Sequence, residues 1–167
     1  MFILPALFAF VLVVLVPAVK GFYYSFTDWN GIGKNAVFVG ISNYGKLLSD
    51  SRFWNSFLLT FVFAICSVIC INAVGFGLPL VAPAFTIGLF LSISDSFKMF
   101  DQNLSLTGGE PMHQTEMMAL NIYDTFYARS GPQWKGIGQA KAVVFFLFVV
   151  VISLIQLQAT RSKEVQQ

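Results

Sequence analysis

The chain has 167 residues, 56% of them hydrophobic and only 11% charged, and its formal net charge is +2. Soluble domains carry about a quarter of their residues as charges to stay hydrated, so this composition excludes an ordinary soluble domain and makes lipid the main solvent. The net charge is too small to imply nucleic acid or an acidic partner, and no nucleic acid is expected.

A helical membrane crossing takes about 20 mostly apolar residues. Four segments qualify, at about 2–19, 54–74, 78–97 and 140–157. They predict an all-α, polytopic membrane protein of about four transmembrane helices, with short amphipathic interfacial helices in its external loops. Two parts follow, 1–75 and 76–167, each with two crossings and one external loop.

The first segment reads as a retained helix. It has no basic leader region, its apolar run is long, and Lys20 follows without a small-residue cleavage site. Phe22, Tyr23, Tyr24 and Trp29 in "GFYYSFTDW" then form an aromatic belt at the membrane interface. A glycine-rich loop with an extended piece at 37–39 comes next. Tyr44, Leu47 and Leu48 fall at helical spacing beside Lys46, Asp50 and Arg52, which predicts a short helix on the membrane surface.

Inside the second segment, Cys66 and Cys70 lie four apart on one helix face, where they read as small buried hydrophobes. Asn72 suits a hydrogen bond to a neighbouring helix. No charged residue stands between Arg52 and Asp95, a run twice as long as one crossing needs. The reversal falls at "GFGLP" (75–79): glycine tolerates a tight turn and Pro79 fits the first turn of the next helix.

The third segment ends in "LFLSISDSFKMF", which places Ser92, Asp95, Ser96 and Met99 at i, i+3, i+4 and i+7 on one helix face. A carboxylate at membrane depth is costly and faces a wet cavity or a partner. Hydroxyls and a carboxylate suit a polyhydroxy substrate. The other reading pairs Asp95 with Lys98 and merely caps the span.

Residues 101–139 form a second polar loop. Gly108, Gly109 and Pro111 break any helix there, and His113 reads as an exposed loop residue. Residues 115–127 carry Met118, Ile122 and Phe126 at four-residue steps, an amphipathic helix. Trp134 precedes the last crossing, and Arg161 and Lys163 follow it. Those two basic residues favour a cytoplasmic tail, and an even number of crossings then puts the amino terminus inside too. There is no G-x-x-x-x-G-K loop, no His–Glu metal motif and no nucleophile–base pair, so no catalytic residue, cofactor or metal ligand is expected.

Several stretches, in order, resemble the permease subunits of carbohydrate-importing ABC transporters of the maltose-permease type. "LPALFAFVLVVLVPAVKGFYYSFTDWNG" is similar to that family's first helix and its exit. "FVGISNYGKLLSDSRFWNSFLLTFVF" resembles an external loop and second helix. "LPLVAPAFTIGLFLSISDSFKMFDQNLSLTGGEP" resembles a fifth helix running into a T-G-G-G-P-like turn, with Glu110 where a third glycine is usual. "TEMMALNIYDTFY" and "ISLIQLQATRSKEV" are similar to the sixth helix and its surroundings.

This resemblance implies that Ser92, Asp95, Ser96 and Met99 border a sugar pathway, and that the Thr107–Pro111 turn lies near its external mouth. It also implies a bacterial plasma-membrane location and a set of partners: ABC ATPase subunits that hydrolyse ATP, a second permease subunit, an extracytoplasmic sugar-binding protein, a sugar and membrane lipid. The chain departs from the family in its middle. Nothing resembles the third and fourth helices or the E-A-A loop that docks on the ATPase, and the junction falls around 75–78. The basic leader that such permeases often carry is also missing. Two readings therefore stand: a permease subunit working by alternating access, and an inactive internally deleted permease or small non-transporting membrane scaffold.

Overall fold

A computed structural model describes residues 3–32, 36–75, 91, 95–97, 99–131 and 133–164. These form helices and turns with no strand among them, in keeping with the all-α expectation. Among the described residues, three helices are long and apolar enough to cross a membrane: Ile3–Tyr24, Ser51–Cys70 and Gln133–Gln156. They correspond to the first, second and fourth expected crossings. Residues 76–79 of the expected reversal and most of the third crossing lie outside the described residues, as does the side chain of Asn72.

Apart from Lys20 near its end, the first span is apolar and none of its residues is buried, as suits a helix wrapped by lipid. It is α-helical over Ile3–Phe10 and Val16–Tyr24, with a π-helical turn at Val11–Leu15 between them. Pro17 is the physical cause. It has no N–H to donate and its ring crowds the preceding carbonyls, so the helix widens just before it and Val16 N–H bonds to the Val11 carbonyl.

By its contacts the chain divides into two compact units, Met1–Ser49 with Ile122–Val144, and Asp50–Asn121 with Phe145–Gln167. In the first unit the belt segment is folded back by a single antiparallel bridge, Thr27 to Phe38, which is the realised form of the extended piece expected at 37–39. The expected surface helix is present at Ser42–Leu48 and buries Asn43 and Leu47. Asn43 acts as a clip: its amide donates to the carbonyls of Ser25 (2.9 Å) and Thr27 (2.7 Å). Tyr24 stacks on Trp29 at 4.2 Å, and Ser25 Oγ lies 2.7 Å from the Tyr44 hydroxyl.

Asn43→Ala is expected to cost about 1–3 kcal/mol, because two buried carbonyls lose their donor. The thermal stability of the purified chain in detergent checks this, and an unchanged value would remove the clip's importance.

The last helix runs from Gln133 to Glu164 and so starts a full turn and more before the expected residue 140. Lys135 and Lys141 interrupt the apolar pattern there. Lys141 is nevertheless fully buried and donates to Thr125 Oγ1 at 3.0 Å, while Lys135 donates to the Phe126 carbonyl. Thr125 and Phe126 belong to the Met118–Tyr127 helix, which realises the amphipathic segment expected at 115–127.

The second unit is built on the Ser51–Gly75 helix. Asp50 caps it, its carboxylate accepting the N–H of Arg52 at 3.1 Å, and a negative charge there also suits the helix N-terminus. The core is aromatic. Phe148 meets Phe57 at 4.6 Å and Phe97 at 6.1 Å, both edge to face, the geometry that aromatic quadrupoles favour. Cys66 and Cys70 correct their expectation: both are exposed, on a face of this helix turned away from the core.

Candidate functional site

The polar face expected on the third crossing divides in the structure. Ser92 and Lys98 lie outside the described residues, so the capping pair of Asp95 with Lys98 does too. Asp95, Ser96 and Phe97 are helical; Asp95 is exposed, while Ser96 and Phe97 are buried. Met99 is half-buried and leaves the helical region with ψ of 64°, and a separate helix follows at Phe100–Leu106. The face therefore does not run to Met99 on one unbroken helix. That second helix lies in a segment expected to be loop.

Asn103 organises what comes next. Its amide donates to Thr107 Oγ1 (3.1 Å) and to the Thr115 carbonyl (2.7 Å), and its oxygen accepts the Met117 N–H at 2.8 Å. These bonds close residues 107–115 into a compact turn. Gly108 and Gly109 have φ of 56° and 88°, a region that glycine enters without the steric cost a Cβ imposes. Met112 and His113 also take positive φ at the apex. The sequence foresaw the helix stop here but not the bracing.

Two further contacts fasten this turn to the 51–75 helix within the same unit. Thr60 Oγ1 accepts the Met118 N–H at 2.8 Å. Arg52 grips the fully buried carboxylate of Glu116 with two bonds, Nε to Oε2 at 2.5 Å and Nη2 to Oε1 at 2.9 Å. His113 is not a bystander, since its Nδ1 lies 2.8 Å from Arg52 Nη2. Because the guanidinium can only donate, Nδ1 is the acceptor in this pair. Neither partner was legible from spacing, since Arg52 and Glu116 stand 64 residues apart.

Beside the turn is a pocket of about 210 Å³, walled by Leu59 and Phe63 from the 51–75 helix, by Met99, Gln102 and Asn103, and by Met117. Of the described residues expected on the substrate face, Asp95, Ser96 and Met99, Met99 lies on this wall. A second pocket of about 200 Å³ is wholly apolar, between Phe61, Ile65, Val68, Phe97 and Ile152.

No family model matches the chain. Comparison with individual proteins is decisive. The probable starch degradation products transport system permease protein AmyD of Thermoanaerobacterium thermosulfurigenes is 30% identical over 280 aligned positions, taking in 99% of this chain and 94% of that protein. The chain belongs to the permease subunits of sugar ABC transporters.

Shorter matches agree. The multiple sugar-binding transport system permease protein MsmF of Streptococcus mutans is 38% identical over 53 residues, 32% of this chain and 18% of that protein. A putative ABC transporter permease of Caldicellulosiruptor is 32% identical over 87 residues, 52% of this chain and 60% of that protein. An alignment of 280 positions is far longer than the permease's own 167 residues, so AmyD carries a long run with no counterpart here. The permease is a transport protein, and its apolar helices are the membrane-spanning part that such a protein requires.

Proposed function

We propose that this permease forms part of the sugar pathway of an ATP-driven importer in the bacterial plasma membrane, with its amino terminus and tail on the cytoplasmic side. Its partners are a pair of ATPase subunits, a second permease subunit and an extracytoplasmic sugar-binding protein. ATP-driven closure of the motor pair shifts the helices so that a site within the membrane opens outward and then inward. Asp95, Ser96 and Met99, with Ser92, border the route, their hydroxyls and carboxylate matching sugar hydroxyls. The similarity to AmyD across nearly the whole chain supports this reading most strongly.

One observation favours a second reading. The run that AmyD has and this chain lacks, together with the missing E-A-A motif, fits a non-transporting remnant. The two separate on reconstitution. Co-expressed with the ATPase and second permease of the same gene cluster, the chain is expected to co-purify with them and support ATP-dependent uptake of maltose into vesicles. Loss of co-purification, while AmyD retains it in its own system, would leave the remnant reading.

Uptake should also fall when Asp95 becomes alanine and recover partly with asparagine, which keeps hydrogen bonding without the charge. Equal uptake by all three chains would remove Asp95 from the route.

A further inference from the structure

We propose that the π-helical turn at Val11–Leu15 is a pivot, about which the amino-terminal half of the first span, Ile3–Phe10, swings while the far end of the span stays fixed. This motion belongs to the chain itself and rests on nothing in the transport reading.

Three observations carry it. First, the two ends of the span are held differently. Just past it, Ser25 Oγ lies 2.7 Å from the Tyr44 hydroxyl, and the Asn43 amide holds the carbonyls of Ser25 and Thr27. Gly21 sits so close to the last helix that an added Cβ would meet Gln139 Oε1 at 3.0 Å. Every residue from 3 to 20, by contrast, is exposed, so no packing within the chain fixes the amino-terminal half.

Second, the hydrogen-bond ladder is weakest at the turn. The Val16 N–H reaches back five residues to the Val11 carbonyl. Pro17 brings no N–H at all, so a carbonyl of the preceding turn has no donor from its own helix. Sharp bends in helices occur at prolines and at π-turns, and here the two coincide.

Third, bending costs no backbone strain. Phe10, Leu15 and Val16 keep ordinary right-handed helical angles, with φ of −59°, −71° and −62°, so the turn widens or tightens inside the allowed region. About 15 Å of helix separates the middle of the turn from Ile3, so a bend of about 20° carries that end through about 5 Å. Such an arm follows the lipid or a neighbouring helix while its anchored end stays in place.

The test uses the whole chain in lipid vesicles, in a C66S/C70S background. Nitroxide labels go on Leu4→Cys and Ile155→Cys, both at exposed positions. Pulsed electron spin resonance on frozen vesicles then reads the spread of distances between them. The parent is expected to spread over about 5 Å more than Pro17→Ala, which restores the N–H and lets the turn close into an α-helix. Pro17→Leu should narrow the distribution equally, because the N–H and not the size of the side chain is what matters.

A parent as narrow as Pro17→Ala, with only its mean distance shifted, would overturn the pivot and leave a fixed bend. Parent and variants equally broad would also overturn it, by placing the motion somewhere other than this turn. The labels need neither ATP nor partner subunits, so a chain that transports nothing still decides the matter, and its failure to transport would count against the transport reading alone.

Discussion

Arg52→Ala is expected to lower the stability of the permease by about 3–5 kcal/mol, the usual consequence of leaving one charge of a buried pair without its partner. The Glu116 side chain has no solvent exposure and Arg52 keeps only 21% of its own, so water cannot replace the guanidinium. His113 cannot replace it either: its Nδ1 stands 3.5 Å from Glu116 Oε2, too far for a good hydrogen bond. Arg52→Lys should fall between the two chains, because an ammonium lacks the planar fork that holds both carboxylate oxygens. The double change Arg52→Met with Glu116→Leu should recover most of the loss, since no charge is then stranded.

The midpoint temperature for loss of the monodisperse peak in detergent orders the four chains. Arg52→Ala melting with the parent would mean that the pair contributes nothing. Recovery in the double variant separates a stranded charge from a collapsed turn. If packing around the turn were the whole matter, removing both partners would cost more than removing one.

Most of the helical layout is legible in the sequence because lipid imposes a simple rule: every buried amide must bond within its own helix, which demands long apolar runs. Composition alone therefore gives the spans at Ile3–Tyr24, Ser51–Cys70 and Gln133–Gln156 to within several residues. Met118, Ile122 and Phe126 gave the amphipathic helix through their spacing. Helix ends and breaks were harder. Nothing in "FKMFDQN" marks Met99 as the place where one helix stops and another starts, since no glycine or proline stands there. The exposed cysteines were misread because a residue's identity does not say which face of an all-apolar helix meets the core.

The bracing of the candidate site was illegible for a different reason. Arg52 with Glu116, and Thr60 with the Met118 N–H, are contacts between segments 64 and 58 residues apart. Sequence spacing constrains only neighbours on one element. A lone arginine at the start of a span reads as an interfacial anchor, and Glu116 as a solvated loop charge. Only the fold brings them together.

The other large effect lies in the first unit, where Gly136→Ala is expected to be the most damaging glycine substitution, at about 3 kcal/mol or more. A Cβ at Gly136 would collide with the Thr27 carbonyl oxygen and come within 2.8 Å of Asn43 Nδ2. Neither can move aside. The carbonyl is backbone, and the Asn43 amide is already bonded to it at 2.7 Å. Gly136 is thus a point where the last helix approaches the Thr27 backbone closely, and the missing side chain is what admits the Asn43 clip. Gly138→Ala meets ring atoms of Phe126 at 2.9 Å; the ring can tilt, so a loss of about 1–3 kcal/mol is expected. Gly21→Ala meets the flexible end of Gln139 at 3.0 Å and should be nearly neutral. Gly45→Ala meets nothing within 4 Å inside the Ser42–Leu48 helix, and should gain up to about 1 kcal/mol from helix propensity alone. Thermal melts of the four single variants should follow that order. Gly136→Ala melting as high as Gly45→Ala would show that the last helix does not pass this close to Thr27, and the clip with it would have to be redrawn.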